Sequence, residues 1–226
     1  LGTPNWCEPG FAQCFHPRVN TCLATFGDFP VCDFTSGTPP ACIVYWGHNP
    51  LNSGPDGETR FNALDSLDSN AKIIVVDPRQ TRLAKQAHVW LQLRPGTDDA
   101  LALAMLNVII EERLHDAEFV TQWTHGFDEL AAHVRQYTPE WAQPITWVAA
   151  EKIRAAARLY AQTRPSMMEW GCAIEHTPKC IQTIRAVSML PAITGNIDVP
   201  GGWVFGMHGL GRFPSLIENL SPEMNA

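Results

Sequence analysis

Two kinds of block alternate along this chain: short unbroken apolar runs that stop at turns, and longer stretches with apolar residues three or four apart. Cys42-Ile43-Val44-Tyr45-Trp46 is the first short run and ends at Gly47-His48-Asn49-Pro50, as a buried strand does. Lys72-Ile73-Ile74-Val75-Val76 is the second. Its lack of alternation predicts burial on both faces, and it ends in Asp77-Pro78-Arg79. His88 to Leu93 and Ser166 to Trp170 are further candidate strands, the latter ending in Gly171.

Helical spacing fills the intervals. One short helix is predicted from about Arg18 to Phe26. Another can start at Ser53-Gly54-Pro55-Asp56, with Phe61, Leu64 and Leu67 on one face. A short basic segment, Arg82 to Gln86, precedes the third strand. A long apolar helix, Ala100 to Arg113, follows Thr97 as a natural N-cap, with Asp98 and Asp99 suiting the dipole of its first turn. From His115 to Ala150 the pattern is helical in short pieces, with Thr138-Pro139 and Gln143-Pro144 as breakers. Thr146 is placed to cap a helix from Val148 to Thr163 with Ile153, Ala157, Tyr160 and Ala161 on its inner face, and a last helix runs through Ile181–Ile193. Asn196 to Gly202 is rich in turn residues, and no internal repeat occurs.

Strands alternating with helices predict an α/β fold, a doubly wound, mostly parallel sheet with helices on both faces, Rossmann-like in organisation. Such sheets bind ligands beyond the carboxyl ends of their strands. Four strand-end turns here carry Gly or polar residues, which points to a dinucleotide-like ligand. No Gly-x-Gly-x-x-Gly is present, so the usual NAD fingerprint is excluded.

Composition narrows the classes. The 226 residues, 45% hydrophobic and 17% charged, suffice for one large domain or two small ones. A formal net charge of −7 argues against a nucleic-acid partner, but not against a nucleotide held by backbone N–H groups and a few arginines. No run of eighteen apolar residues occurs, so direct membrane insertion by a helix is not expected. The seven cysteines form no Cys-x-x-Cys, which argues against a closed zinc site or a local iron–sulfur cluster. Most of these thiols are read as small buried apolar side chains. The chain opens Leu1-Gly2-Thr3-Pro4 without Met and with no charged-then-apolar leader, and is read as an internal piece of a larger enzyme, with its compartment open.

Each turn residue has two readings. Gly47 and Asn49 offer a close backbone approach and an amide to a phosphate or pterin, or make a plain strand-to-helix turn. Asp77 stands where an acid meets a ribose or a guanine N–H edge, or is a turn Asp before Pro. Arg79 pairs with a phosphate or lies on the surface. Asp98, two residues after Gly96, is by itself a helix first-turn acid.

Taken in order, these motifs resemble a known family. Gly47-x-Asn49-Pro50, Ile74-Val75-Val76-Asp77-Pro78-Arg79, Leu93-Arg94-Pro95-Gly96-Thr97-Asp98, Glu169-Trp170-Gly171 and Leu190-Pro191-Ala192-Ile193-Thr194-Gly195-Asn196-Ile197-Asp198-Val199-Pro200-Gly201-Gly202 look like the dimethyl sulfoxide reductase family of molybdopterin oxidoreductases. The resemblance covers nearly the whole chain. It implies a bis-molybdopterin guanine dinucleotide cofactor carrying molybdenum or tungsten, and a 4Fe-4S cluster in a domain absent from this chain. By it, Gly47, Asn49, Asp77, Arg79, Gly96 and Asp98 match positions that hold the guanine dinucleotide part of one cofactor. Trp170-Gly171 match a loop over the pterin, and His176 matches a polar position near the metal in the family's formate dehydrogenases, or is a satisfied surface or core histidine.

The resemblance also implies a metal ligand. Family nitrate reductases carry a Cys eleven residues before the Thr of a Thr-Phe-Gly, and Thr25-Phe26-Gly27 puts Cys14 there; Thr3-Pro4-Asn5 resembles the preceding family segment. Thiolates suit such a metal. Cys7, Cys22, Cys32 and Cys42 are read as structural, and His16 either faces the substrate, donates a hydrogen bond to a metal-bound group, or is a polar loop residue. The division expected is a metal-ligand loop and short helix packed on the sheet over 1–40, the dinucleotide-binding domain over 41–205, and an irregular tail over 206–226.

Partners implied are a small-molecule substrate, an upstream iron–sulfur domain, a downstream cofactor-binding domain and electron-transfer subunits. Formate dehydrogenases carry an Arg soon after the Gly-Gly turn, whereas here Trp203 to His208 holds none before Arg212, so formate is a poor guess. That departure, with the ligand loop Trp6-Cys7-Glu8-Pro9-Gly10, leaves room for a non-redox hydratase or transhydroxylase. A metal-free structural subunit like that of complex I is the third reading, and intact Cys14, Asp77 and Asp98 count against it.

Overall fold

A computed structural model describes residues 13–53 and 58–205. Among these residues the strands are β1 (Val31–Cys32), β2 (Cys42–Trp46), β3 (Lys72–Val76), β4 (Val89–Leu91), β5 (Ser166–Trp170) and β6 (Trp203–Val204). Four of them form a sheet in the order β4-β3-β2-β5, all parallel. Trp46 lies opposite both Val76 and Trp170, so the carboxyl ends of the three adjacent strands finish level. The apolar runs explain this placement: every residue of β2 is inaccessible, and four of five in β3 are buried. Only a strand covered on both faces tolerates such a run. β1 and β6 form a separate antiparallel pair that ties the N-terminal segment to residues 203–204.

The described helices are α1 (Phe15–Phe26), α2 (Pro50–Ser53), α3 (Glu58–Asp68), α4 (Arg82–Gln86), α5 (Asp98–Glu111) and α6 (Ala117–Trp123). They continue with α7 (Phe127–Val134), α8 (Pro139–Thr146), α9 (Ala150–Gln162), α10 (Cys172–Glu175) and α11 (Cys180–Ile193). Helices cover both faces of the sheet. Tyr45 donates its hydroxyl to Ser66 of α3, while its neighbour Trp46 donates its indole N–H to Asp98 at the start of α5. Successive strand residues point to opposite faces, so these two bonds mark the two helical layers. α9 packs over β2, β3 and β4, and α1 packs against α11 and α10. The doubly wound α/β expectation holds.

Several local expectations do not. α1 begins three residues earlier than the Arg18 start, with Cys14 as its N-cap residue. Phe61 is 67% exposed; α3 meets the sheet through Ala63 and Ser66, whose small side chains allow the close approach. Thr97 sits at the N-cap of α5 but its hydroxyl donates to the Arg94 carbonyl instead of capping. Pro144 breaks nothing. It lies inside α8, where a two-turn helix loses a single ladder bond to it. Thr146 ends α8, its hydroxyl donating to Ala142 and accepting from Val148, and α9 is capped instead by Gln143, which accepts from the Ala150 N–H at 2.8 Å. Ile153, Ala157, Tyr160 and Ala161 form the buried face of α9 as expected.

Candidate functional site

The turns that leave the strands define a row along one edge of the sheet. After β2 the chain turns sharply at Gly47, whose φ of +58 is left-handed, and whose Cβ, if present, would lie 2.8 Å from that of Ala173. After β5 it turns at Gly171, where a Cβ would come 2.4 Å from the Gly47 carbonyl oxygen and 3.1 Å from the His48 Cα. The two turns therefore touch backbone to backbone, and no larger residue fits at either. The row is stitched by hydrogen bonds: Gly171 N–H to Trp46 O, Gly47 N–H to Val76 O, and Trp90 Nε1–H to Asp77 O.

On this row lie all six residues expected to hold a dinucleotide. Asn49 follows β2, and its side-chain Oδ1 is buried with no hydrogen-bond partner among the described residues. A buried acceptor left unpaired costs about 1–3 kcal/mol, so a donor from a ligand is the natural occupant. Asp77 follows β3, is 4% exposed, and accepts from the Arg79 N–H at 2.7 Å. The exposed Arg79 side chain holds its Nε 3.6 Å from the same carboxylate. Gly96, exposed with φ +79, and buried Asp98 follow β4. Asp98 is more than a first-turn acid: it takes the Trp46 indole N–H at 2.8 Å, and burial raises its pKa against that bond.

At the β5 end of the row a second group converges. Cys14 Sγ lies 3.9 Å from Cys172 Sγ and 3.6 Å from Glu175 Oε2. The sulfurs of Cys14 and Cys172 and a ring nitrogen of His176 all lie within 4.8 Å of one another. Trp170 and Gly171 lead into this group, and the Trp170 indole donates to Glu175 Oε1 at 3.2 Å. Arg18 holds the group together. Its Nε is 2.6 Å from Glu175 Oε1, another nitrogen donates to the Trp170 carbonyl, and its guanidinium stacks over the Trp170 ring at 4.8 Å. Burial first, then Cys172 and Glu175, pushes the Cys14 thiol up to about 11, so a metal must displace its proton.

Of the expected site residues, Cys14, His176, Trp170 and Gly171 come together here. His176 is exposed, not a core histidine. His16 lies in the first turn of α1, half-buried, and does not belong to the three-donor group. Cys22 and Cys42 are buried, and Cys32 is half-buried with its thiol 3.4 Å from the Met168 carbonyl. Cys7, Thr3-Pro4-Asn5 and everything from Gly206 on, Arg212 included, fall outside the described residues.

Sequence reasoning passed over Arg18, Cys172 and Glu175. The expectation that most thiols are buried fails: of the six described only Cys22 and Cys42 are buried, and Cys172 is exposed. Signals existed: Arg18 stands four residues from Cys14, and Cys172 four from His176, the spacing that shares one helix face.

Residues 39–219 match the family model of the molybdopterin oxidoreductases, and this chain belongs to that family. The family implies a molybdopterin-type cofactor with molybdenum or tungsten. Among relatives, the chain is similar to acetylene hydratase of Syntrophotalea acetylenica, 36% identical over 207 residues, and to formate dehydrogenase H of Escherichia coli K12, 37% identical over 167. These matches cover 91% and 74% of this chain but 27% and 23% of the relatives. The solved acetylene hydratase from Pelobacter acetylenicus superposes with a TM-score of 0.81 at 34% identity, over 91% of this chain and 27% of that one. The chain thus spans about a quarter of the length of the relatives it matches.

Proposed function

We propose that this chain is the part of a larger oxidoreductase that holds one guanine dinucleotide arm of a bis-molybdopterin guanine dinucleotide cofactor and supplies Cys14 as thiolate ligand to its molybdenum or tungsten. The observation that carries this reading is the row itself: a nucleotide-type edge with a buried acceptor at Asn49 that has no partner among the described residues, ending in a cluster with two thiols. The donor set fits the group. Soft sulfur suits a metal already bound by dithiolenes, and the close backbone contact of Gly47 with Gly171 holds the β2 and β5 turns side by side at that end of the row.

In this reading residues 1–40 carry the ligand loop, 41–205 the dinucleotide domain and 206–226 the tail. When bound, the cofactor supplies two-electron or Lewis-acid chemistry at the metal. The chain's own residues position it. Asp77 and Asp98 offer carboxylate acceptors to a ribose or guanine edge, Arg79 faces phosphate, and Gly96 lets the backbone approach. Arg18 and Glu175 fix the start of α1 and so the Cys14 sulfur. His176, exposed beside it, is placed to exchange a proton with substrate. A 4Fe-4S cluster in a further domain would supply the path for electrons.

A second reading, hydration without net redox change, draws support from the acetylene hydratase matches, which span 91% of the chain against 74% for the formate dehydrogenase. One set of measurements separates all readings. The complete protein that contains this chain is assayed for molybdenum and tungsten by plasma mass spectrometry, and its turnover is tested with and without an electron-acceptor dye. About one molybdenum or tungsten per protein, lost or altered in X-ray absorption in Cys14→Ala, is expected. Turnover that needs the dye marks the oxidoreductase, and turnover without it the hydratase. Absence of both metals would sink the proposal and leave the metal-free structural subunit.

A further inference from the structure

We infer that the cofactor-free chain holds one soft divalent cation of the zinc class through Cys14 Sγ, Cys172 Sγ and a ring nitrogen of His176. The sulfur spacing decides between this and the other fate of two neighbouring thiols. A disulfide needs its sulfurs about 2.05 Å apart, which would close nearly half the observed gap. Around a tetrahedral Zn2+ with Zn–S of about 2.3 Å, the edge between two sulfurs is about 3.8 Å. The Cys14–Cys172 separation is 3.9 Å. The sulfurs already stand one coordination edge apart.

The scaffold supports the set. Cys172 and His176 are the first residue and the C-cap of α10, four positions apart on one helical turn. Cys14 is the N-cap residue of α1, 158 residues away in sequence from Cys172, and arrives from a separate element. Arg18 clamps the two elements together through Glu175 and the Trp170 carbonyl. Two thiolates balance the charge of a divalent cation, the histidine adds a neutral nitrogen, and the fourth position is left to water, as in open three-ligand zinc sites. Cys172 and His176 are exposed, so the cation has access. Binding displaces two thiol protons: one M2+ and two thiols give one M(thiolate)2 unit and two H+. Glu175 stays outside the coordination set. Its Oε1 is engaged by Arg18 and Trp170, which turn the carboxylate toward α1; the bond from the Cys14 thiol to its Oε2 belongs to the metal-free chain alone.

The site shares Cys14 and its neighbouring thiol with the pterin reading, but its test needs no pterin. It is tested on the full chain, purified reduced and free of cofactor, by titrating Zn2+ against a chromophoric chelator and by substituting Co2+. One equivalent binds, two protons are released per cation, and Co2+ gives a thiolate charge-transfer band. Cys172→Ser and His176→Ala each weaken Zn2+ binding by about 100-fold or more. Cys180→Ser, in a thiol outside the cluster, leaves it unchanged. Circular dichroism of the metal-free variants checks that the fold is kept. Equal affinity in wild type and Cys172→Ser, or Co2+ without a thiolate band, overturns the inference. Absent molybdenum and tungsten in the complete protein would defeat the pterin reading alone and leave this titration as it stands.

Discussion

Asp98 carries a physical conflict within one side chain. Burial disfavours its charge, while the Trp46 indole N–H partly restores it, and the balance leaves its pKa raised. The folded chain therefore binds more protons here than the unfolded chain, and stability contributed by this group falls as pH rises from about 4. Asp98→Asn keeps an acceptor for Trp46 and removes the charge. It is expected to equal or exceed wild-type stability at pH 7, with the difference vanishing below about pH 4, as read from urea midpoints at several pH values. Asp98→Ala leaves the indole N–H unpaired and costs about 1–3 kcal/mol. Gly171 poses a steric problem instead: in Gly171→Ala the new Cβ meets the Gly47 carbonyl at 2.4 Å, a contact with backbone that cannot swing aside. A loss of about 3 kcal/mol is expected by chemical denaturation. At this scale the sequence was half legible. Asp98 and Gly171 could be singled out from their positions after strands, but their partners could not, because Trp46 and Gly47 reach them only across the folded sheet.

The pairing of β1 with β6 depends on one carboxylate between elements. Asp33 is buried and accepts from the N–H groups of Thr35 and Ser36 through one oxygen and of Gly201 through the other. Burial acts to raise its pKa, but the hydrogen bonds from Ser36, Gly201 and Thr35 outweigh it and bring it down to about 2. A depressed carboxylate stabilises the fold above its ordinary value near 4, and that contribution is lost as pH falls toward about 2. Asp33→Asn should flatten stability across this window and lower it at neutral pH, with amide exchange rising first in Val31–Cys32 and Trp203–Val204. Element boundaries were legible where a short strand-like run stopped at a turn: the observed bounds of β2, β3 and β5 coincide with the runs that end before Gly47, Asp77 and Gly171. They were not legible where side chains decide. Gln143 took the cap that Thr146 was expected to supply, and Pro144 was accommodated, because neither outcome leaves a trace in periodicity.

For the molecule as a whole, burial predicts a gradient of rigidity. β2 is inaccessible and flanked by β3 and β5, so its amides should exchange only by global opening, while those of the exposed turn at Gly96 exchange sooner. Hydrogen exchange followed by mass spectrometry reads this order directly; early exchange in β2 would contradict it. The family and the α/β fold were legible because they rest on the order of turns, which is a one-dimensional property. The thiol cluster was not, since it joins two elements that the sequence keeps far apart. That distance also sets a schedule. During synthesis from the N-terminus, Cys14 and α1 emerge first, but Cys172, Glu175 and His176 follow only after β5, more than 150 residues later. The chain can pair β2 with β3 early, yet the corner that joins Cys14 to Cys172 cannot exist until β5 docks beside β2. Assembly of this corner therefore waits for residues 166–176, and a nascent chain stalled before residue 166 has Cys14 but lacks Cys172, Glu175 and His176 beside it.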